Sequence, residues 1–282
     1  MNTQRNDSRH VTKFFVYLLL IVLAALSIFP FVVMFVNSTR STPQIQSNSI
    51  SLIPSKYFGQ NLEILTGKSF DPWVGFKNSA TVAVFATLLS IYFSALTAYA
   101  LVAYNWKMRQ PFFTFIMVVM MIPAQVTAIG FYQFMYRIGM TNNLLALILP
   151  AIAAPQAVFF MRQYMLPALP LDIIDSARID GAGEFYTFNK IVIPIMKPAL
   201  ATQGIFTFVA SWNNLFMPQI LLTDSSKYTL PIMVSLLRGD IYRTEYGAIY
   251  LGLALTTLPL FVIYFALSRQ IVEGVALGGV KG

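Results

Sequence analysis

The sequence has no cysteine, which excludes disulfides, thiolate metal sites and cysteine nucleophiles. Its single histidine, His10, stands among polar residues near the N-terminus, where a lone histidine is usually solvated. Charge is also scarce, because Asp, Glu, Lys and Arg make up 11% of the 282 residues, whereas ordinary soluble domains have about 25%. The nineteen Lys and Arg residues are scattered and form no basic stripe, which argues against nucleic-acid binding despite a net charge of +8.

Motifs of the common enzyme classes are missing as well. The chain has no HExxH, GxSxG or GxGxxG pattern. The string LTGKS resembles the end of a phosphate loop, but such a loop requires glycine at position 62, where the chain has Leu62. The sequence therefore predicts no catalytic residue, no cofactor-binding site and no metal site of its own.

Apolar residues take the place of charge and make up 57% of the chain. Six segments have no Lys, Arg, Asp or Glu and approach or exceed the ~20 residues that a helix needs to cross a bilayer; they are residues 14–36, 80–103, 111–136, 144–160, 199–222 and 246–268. The chain is predicted to be an all-α integral membrane protein with six transmembrane helices.

Orientation in the membrane follows from the Lys and Arg residues, which are retained on the cytoplasmic side. With the N-terminus inside, eleven of the nineteen fall in the cytoplasmic segments 1–13, 105–110, 161–198 and 269–282. The sequence therefore predicts that both termini are cytoplasmic.

The predicted spans contain no ionisable residue. Ion-coupled transporters carry such residues within the membrane, where they are costly and persist mainly for function. The absence argues that the energy source lies outside the bilayer. An ion-coupled secondary transporter or channel is the alternative, and a non-transporting scaffold or receptor is a further one.

Uncharged polar residues cluster in the fifth predicted span, at Ser211, Trp212, Asn213 and Asn214. An indole beside two amides could offer a sugar an apolar face next to hydrogen-bonding groups, so these four residues are a hypothetical substrate pathway. Hydrogen bonding between helices is the alternative interpretation.

Residues 171–195, here called the knob, form a charged stretch between the fourth and fifth spans. Apolar residues recur at helical spacing in two groups separated by Gly181, namely Ile173, Ile174 and Ala177, and then Phe185, Phe188, Val192 and Ile195. Asp175 and Arg178 are three residues apart and can pair along a helix. The pattern predicts two short helices bent at Gly181, and such a unit could simply pack on the ends of its own spans.

The string DSARIDGA, followed by Ile191, Ile193 and Pro194, resembles the EAA loop of permease subunits in bacterial ABC importers, E-A-A-x-x-x-G with I-x-L-P behind it. Asp replaces the first Glu and Ser replaces an Ala. The resemblance implies that the loop 170–198 couples the chain to an ATPase, through Asp175, Ser176, Ala177, Asp180, Gly181, Ala182, Ile193 and Pro194.

Further strings, FFMRQYMLPALPLDI, WNNLFMP, FKNSATVA and VEGVALGGVKG, resemble the carbohydrate-uptake, MalG-like class of these permeases. This implies a type I ABC importer permease fold, in which residues 1–13 are a cytoplasmic N-terminus, 14–268 the permease domain and 269–282 a cytoplasmic tail. Within that tail, Gly278, Gly279 and Lys281 are expected to contact the ATPase.

The resemblance also implies a location and partners. The location is the bacterial cytoplasmic membrane. The partners are a second homologous permease subunit, a cytoplasmic ATPase dimer that binds ATP and Mg, an extracellular solute-binding protein, membrane lipid and an oligosaccharide or related polyol. The resemblance does not specify the sugar, because selectivity in this class depends largely on the binding protein.

Overall fold

The computed structural model describes residues 4–67, 70–237 and 244–279, with side chains between Lys13 and Phe265. All regular structure in these ranges is helical. In chain order the helices are α1 (Gln4–Asn37), α2 (Thr42–Ser47), α3 (Phe58–Gly67), α4 (Pro72–Ala103), α5 (Arg109–Met120), α6 (Ala124–Arg137), α7 (Leu145–Ile148), α8 (Pro155–Ala168), α9 (Leu171–Ile179), α10 (Glu184–Ile195), α11 (Lys197–Trp212), α12 (Phe216–Leu221), α13 (Leu230–Leu236) and α14 (Tyr246–Gly279).

Four stretches of the described chain are helical, long and apolar enough to cross a membrane: Lys13–Asn37, Pro72–Ala103, Leu145–Ala168 and Tyr246–Phe265. Two further helix pairs pass the same test together but are bent, α5 with α6 by 97° and α10 with α11 by 81°. The count reaches six when each bent pair is taken as one span, but the second pair shares only residues 199–212 with the predicted fifth span and begins within the knob. The helices also extend beyond the uncharged segments, since α4 begins at Pro72 and α14 continues to Gly279.

The predicted third and fifth spans need correction. The single helix expected over 111–136 breaks before Pro123, because a proline ring disfavours helical geometry at the preceding residue. The single helix expected over 199–222 ends at Trp212 and resumes at Phe216. Two asparagines occupy the break. Pro218 has no N–H to donate to the Asn214 carbonyl, and in a continuous helix its ring would clash with that carbonyl.

The described residues form two compact units, one drawn from the ranges 1–70 and 234–257 and the other from 71–233 and 258–282. In the first unit the buried Arg40 donates to the Asn37 side chain at 2.9 Å and to the backbone oxygens of Gln44 and Asn48. Asn61 donates to the carbonyls of Ser38 and Arg40. These bonds satisfy buried polar groups and fold the segment after α1 into a defined loop.

The second unit is built around α4, which packs against α8 and α11. Its main core joins these helices to the knob and contains Ala95, Ala98, Tyr99, Val102, Met161, Met165, Leu169, Ile174, Phe188, Val192, Met196 and Ala199. Asp71 caps the start of α4 by accepting from the backbone N–H groups of Trp73 and Val74. The knob therefore rests on the far end of a helix whose first turn is fixed by a capping carboxylate.

Candidate functional site

The turn between the two knob helices has the geometry that the sequence predicts. Gly181 has a φ of +79°, in the left-handed region. Its N–H donates to the Arg178 carbonyl at 3.0 Å, and the Ala182 N–H donates to the Ala177 carbonyl at 2.9 Å. This pair of bonds is the Schellman arrangement that closes a helix C-terminus. The bend at Gly181 is confirmed. The left-handed backbone conformation explains why glycine is favoured at this position.

One face of the knob is buried. Ile174, Ala177, Phe188 and Val192 are buried, and all except Ala177 belong to the core that includes α4 and α8. The interpretation that the knob packs on its own helices is therefore correct for this face.

The opposite face exposes large apolar side chains. Ile179 is 86% exposed, Phe185 71% and Tyr186 59%. Ile173 and Phe185 belong to the two apolar groups that recur at helical spacing, yet both lie on the exposed side, so packing on the chain's own helices covers only part of each group. A helical period shows which residues share a face, but the neighbouring helices decide how much of that face is covered.

Arg178 is the centre of the polar contacts in the knob. Its Nη1 lies 3.0 Å from Asp175 Oδ1, so the predicted Asp175–Arg178 pair is confirmed. Its Nε lies 2.8 Å from Glu184 Oε1 across the Gly181 turn. The hydrogen bond to Glu184 is the main cause that raises the pKa of the Arg178 guanidinium. Arg178 therefore stays charged and holds the two knob helices together.

Glu184 also reaches the long helix α4. Tyr99 Oη donates to Glu184 Oε2 at 3.0 Å. The Arg178 guanidinium lies 5.1 Å from the ring centre of Tyr104, just beyond the end of α4. Sequence reasoning missed Glu184, Tyr99 and Tyr104. The available signal was that Glu184 is the only carboxylate between 181 and 198.

A groove of about 600 Å³ runs between the end of α4 and the start of α10. Aromatic side chains form much of its lining, including Tyr99, Tyr104, Trp106 and Phe185, and Glu184 contributes a carboxylate. The groove shows that the knob does not close fully on α4 at this edge.

The remaining predicted coupling residues lie on the two knob helices and in the turn between them. Asp175, Ser176, Asp180 and Pro194 are exposed, and Ala182 and Ile193 are partly exposed. Ser176 Oγ donates to the Asp172 carbonyl at 2.8 Å. Pro194 lies inside α10, which includes a wider π-helical turn over Phe188–Val192 and continues to Ile195.

Trp212 has a different environment from the one that the sugar interpretation expects. It is only 2% exposed. Its ring stacks on Phe208 with 5.7 Å between centroids and meets Phe76 edge to face at 5.8 Å. In this conformation Trp212 is a packing residue at the end of α11, and Asn213 beside it is exposed.

Ser211 and Asn214 line a cavity of about 120 Å³, together with Ser79 at the start of α4 and Thr229 before α13. Ser79 Oγ accepts from the Leu230 N–H at 2.9 Å. Thr229 Oγ1 is buried with no hydrogen-bond partner among the described residues. Two of the four predicted pathway residues thus share a cavity of mixed polar and apolar lining. Sequence reasoning did not find Ser79 and Thr229, which contribute two further hydroxyl groups to it.

Comparison with known families gives the identity of this architecture. Residues 87–276 match the family described as the inner membrane component of binding-protein-dependent transport systems. The chain belongs to this family. It is therefore a membrane-spanning permease component, and the family expectation drawn from its loop motif is confirmed.

Two relatives and one solved structure place the chain within the family. The chain is 35% identical to the arabinooligosaccharides transport system permease protein AraQ of Halalkalibacterium halodurans, over 92% of this chain and 93% of the relative. It is 32% identical to the lactose transport system permease protein LacG of Rhizobium radiobacter, over 94% and 95%. A bacterial ABC transporter involved in the import of the acidic polysaccharide alginate contains a chain with the same fold, with a TM-score of 0.79, 23% identity and coverage of 93% and 97%.

The last predicted site of the permease is its C-terminal tail. Gly278 and Gly279 form the end of α14. Lys281 lies outside the described residues. The contact of these three residues with an ATPase stays a prediction.

Proposed function

We propose that this permease moves an oligosaccharide or a related polyol into a bacterial cell by alternating access, and that a separate ATPase drives it through the knob. The permease performs no covalent chemistry. The ATPase dimer holds ATP and Mg, and its closure displaces the knob. A second, homologous permease completes the pathway, and a solute-binding protein delivers the sugar from outside.

The exposed apolar face of the knob carries the proposal. Ile179, Phe185 and Tyr186 stand on a segment that also exposes Asp175 and Asp180. Charged residues of this density do not lie in hydrocarbon. Exposed apolar residues framed by charges are typical of a protein-binding surface. The ATPase is the expected partner, and both termini and the knob then face the cytoplasm.

The substrate class rests on the relatives. AraQ belongs to an arabinooligosaccharides transport system and LacG to a lactose transport system. The small cavity with Ser79, Ser211, Asn214 and Thr229 offers hydroxyl and amide groups of the kind that pair with sugar hydroxyls. We assign Ser211 and Asn214 to the pathway, with Trp212 and Asn213 beside them. The binding protein selects the sugar.

Replacement of Ile179 by Glu tests the coupling surface. An exposed isoleucine carries no packing role within the chain, so the variant should fold and join the second permease. We expect it to lose the ATPase on purification, because a carboxylate at the centre of an apolar contact stays desolvated and unpaired. The measurement is the amount of ATPase that co-purifies with the tagged permease pair.

Ile53→Glu is the matched control. Ile53 is 76% exposed and belongs to the first unit, whereas the knob belongs to the second. It should retain the ATPase in full. Equal ATPase recovery in both variants, together with normal sugar uptake, would show that the knob face is not the coupling surface.

A further inference from the structure

Displacement of the knob must be passed to a membrane helix if the proposed function is correct, and the structure assigns this link to Glu184. We propose that Glu184 is a positioning residue that locks the knob to the end of α4, so that the two move as one body. The inference rests on the proposed coupling function and deepens it. It names a residue outside the DSARIDGA motif.

The geometry of one carboxylate carries the proposal. Oε1 of Glu184 pairs with Arg178 at 2.8 Å and thereby ties α10 to α9 across the Gly181 turn. Oε2 accepts from Tyr99 Oη at 3.0 Å and ties the same residue to α4, 85 positions away in sequence. Each oxygen therefore serves a different element, and the three elements meet at a single side chain.

The other contacts between knob and α4 do not fix the knob in the same way. Phe188 packs against Tyr92 and Tyr99 at centroid distances of 5.6 and 5.7 Å. Apolar packing of this kind is strong but non-directional, so it defines the orientation of the knob less sharply than a hydrogen bond does. Tyr92 Oη lies 3.3 Å from Asn189 Oδ1 and is a longer, neutral link. Charge-assisted bonds are shorter and stronger, and here they converge on Glu184.

The groove beside Glu184 supports this role. It separates the end of α4 from the start of α10, and its lining includes Tyr99, Tyr104, Phe185 and Glu184. At this edge the knob also makes contact through the Phe188 ring against Tyr99 and through the Arg178 guanidinium, 5.1 Å from the centre of the Tyr104 ring. Without Glu184 these contacts would lack the directional bond between α10 and Tyr99, and the start of α10 could then shift into the groove.

The test uses the whole complex, with the second permease, the ATPase and the binding protein, in proteoliposomes with arabinotriose and lactose as probes. The variants are Glu184→Gln and Tyr99→Phe, alone and together. Tyr99→Phe removes a single hydroxyl and protects the test against misfolding of the Glu184 variant. The controls are Glu63→Gln and Tyr17→Phe, which alter exposed residues of the same types elsewhere in the chain.

Two quantities are measured. The first is the amount of probe transported per ATP hydrolysed, which should fall by about twofold to thirtyfold, the range that single positions in a coupling route produce. The second is the distance distribution between spin labels at Met108→Cys and Lys190→Cys. The permease is cysteine-free, so in a complex whose other subunits lack cysteine the labels occupy only these positions. The distribution should broaden in both variants.

The double variant should be little worse than either single variant, since both changes break one connection. A normal transport ratio overturns the proposal, whether or not the distances broaden, and so does a distribution as narrow as that of the unaltered complex. ATPase recovery separates this outcome from failure of the proposed function. The Glu184 variants should retain the ATPase, whereas Ile179→Glu should lose it.

Discussion

At the scale of single residues, Gly181 is the knob position at which the backbone most directly restricts the side chain. A Cβ placed there would meet no atom within 4 Å, so space does not require glycine. The requirement comes from the φ of +79°, which costs an ordinary L-residue about 1–2 kcal/mol. The cost of replacing Gly181 therefore comes from the backbone conformation and not from steric contact with neighbouring side chains.

We therefore expect Gly181→Ala to weaken the turn and reduce probe transport per ATP. Gly181→Asn should retain more of both, because asparagine enters the left-handed region more readily. Gly183→Ala is the matched control, since Gly183 has a φ of −68° and open space around it. Thermal unfolding of the purified complex and transport assays measure the effects. Equal losses for Ala and Asn would contradict the backbone explanation.

Glu184 shows the limit of sequence reasoning at this scale. The spacing of Asp175 and Arg178 indicated a pair along one helix, and that pair exists. The stronger partner of Arg178 lies beyond a turn, and the third partner, Tyr99, lies in another helix. No local period encodes these contacts, because they depend on how α4 and α10 pack.

At the scale of secondary structure, α4 connects the two regions on which the function rests. Ser79, in its second turn, lines the cavity that contains Ser211 and Asn214, and Tyr99, near its end, donates a hydrogen bond to Glu184. Its 32 residues extend for about 48 Å at 1.5 Å per residue. A helix of this length can transmit displacement from one region to the other only if its ends are fixed.

The Asp71 cap fixes the first end. We expect Asp71→Ala to destabilise the permease by about 1 kcal/mol, because the N–H groups of Trp73 and Val74 lose their acceptor. Asp71→Asn should be close to neutral, since its amide oxygen still accepts. The midpoint of thermal unfolding in detergent is the measurement. A loss for Asn as large as that for Ala would show that the negative charge, and not the cap, is what stabilises α4.

At the scale of the whole molecule, the source of energy is the decisive property. The four unbroken candidate spans of the described chain contain no Asp or Glu, and their basic residues, Lys13, Lys77 and Arg162, all lie in the first or last seven residues of a span. This distribution suits a pathway that is opened and closed mechanically and carries no coupled ion.

Uptake into proteoliposomes that hold the complete complex should therefore require ATP on the side of the ATPase. It should continue unchanged when an ionophore removes the proton and sodium gradients. Liposomes with a non-hydrolysable ATP analogue serve as the control and should show no sustained uptake. Uptake that persists without ATP but stops with the ionophore would favour the ion-coupled alternative.

The sequence by itself determined the class of protein, the number of apolar segments and the turn at Gly181. Each of these follows from a local cost: charge in hydrocarbon, unpaired backbone in lipid, or a left-handed φ. The tertiary structure decided which side chains meet. Packing buried Trp212 between Phe208 and Phe76, placed Thr229 and Ser211 in the lining of one cavity, and left Phe185 exposed although it shares the helical period of the buried Phe188 and Val192. These outcomes depend on residues far apart in the chain and on where α5, α6, α10 and α11 bend, so no local pattern contains them.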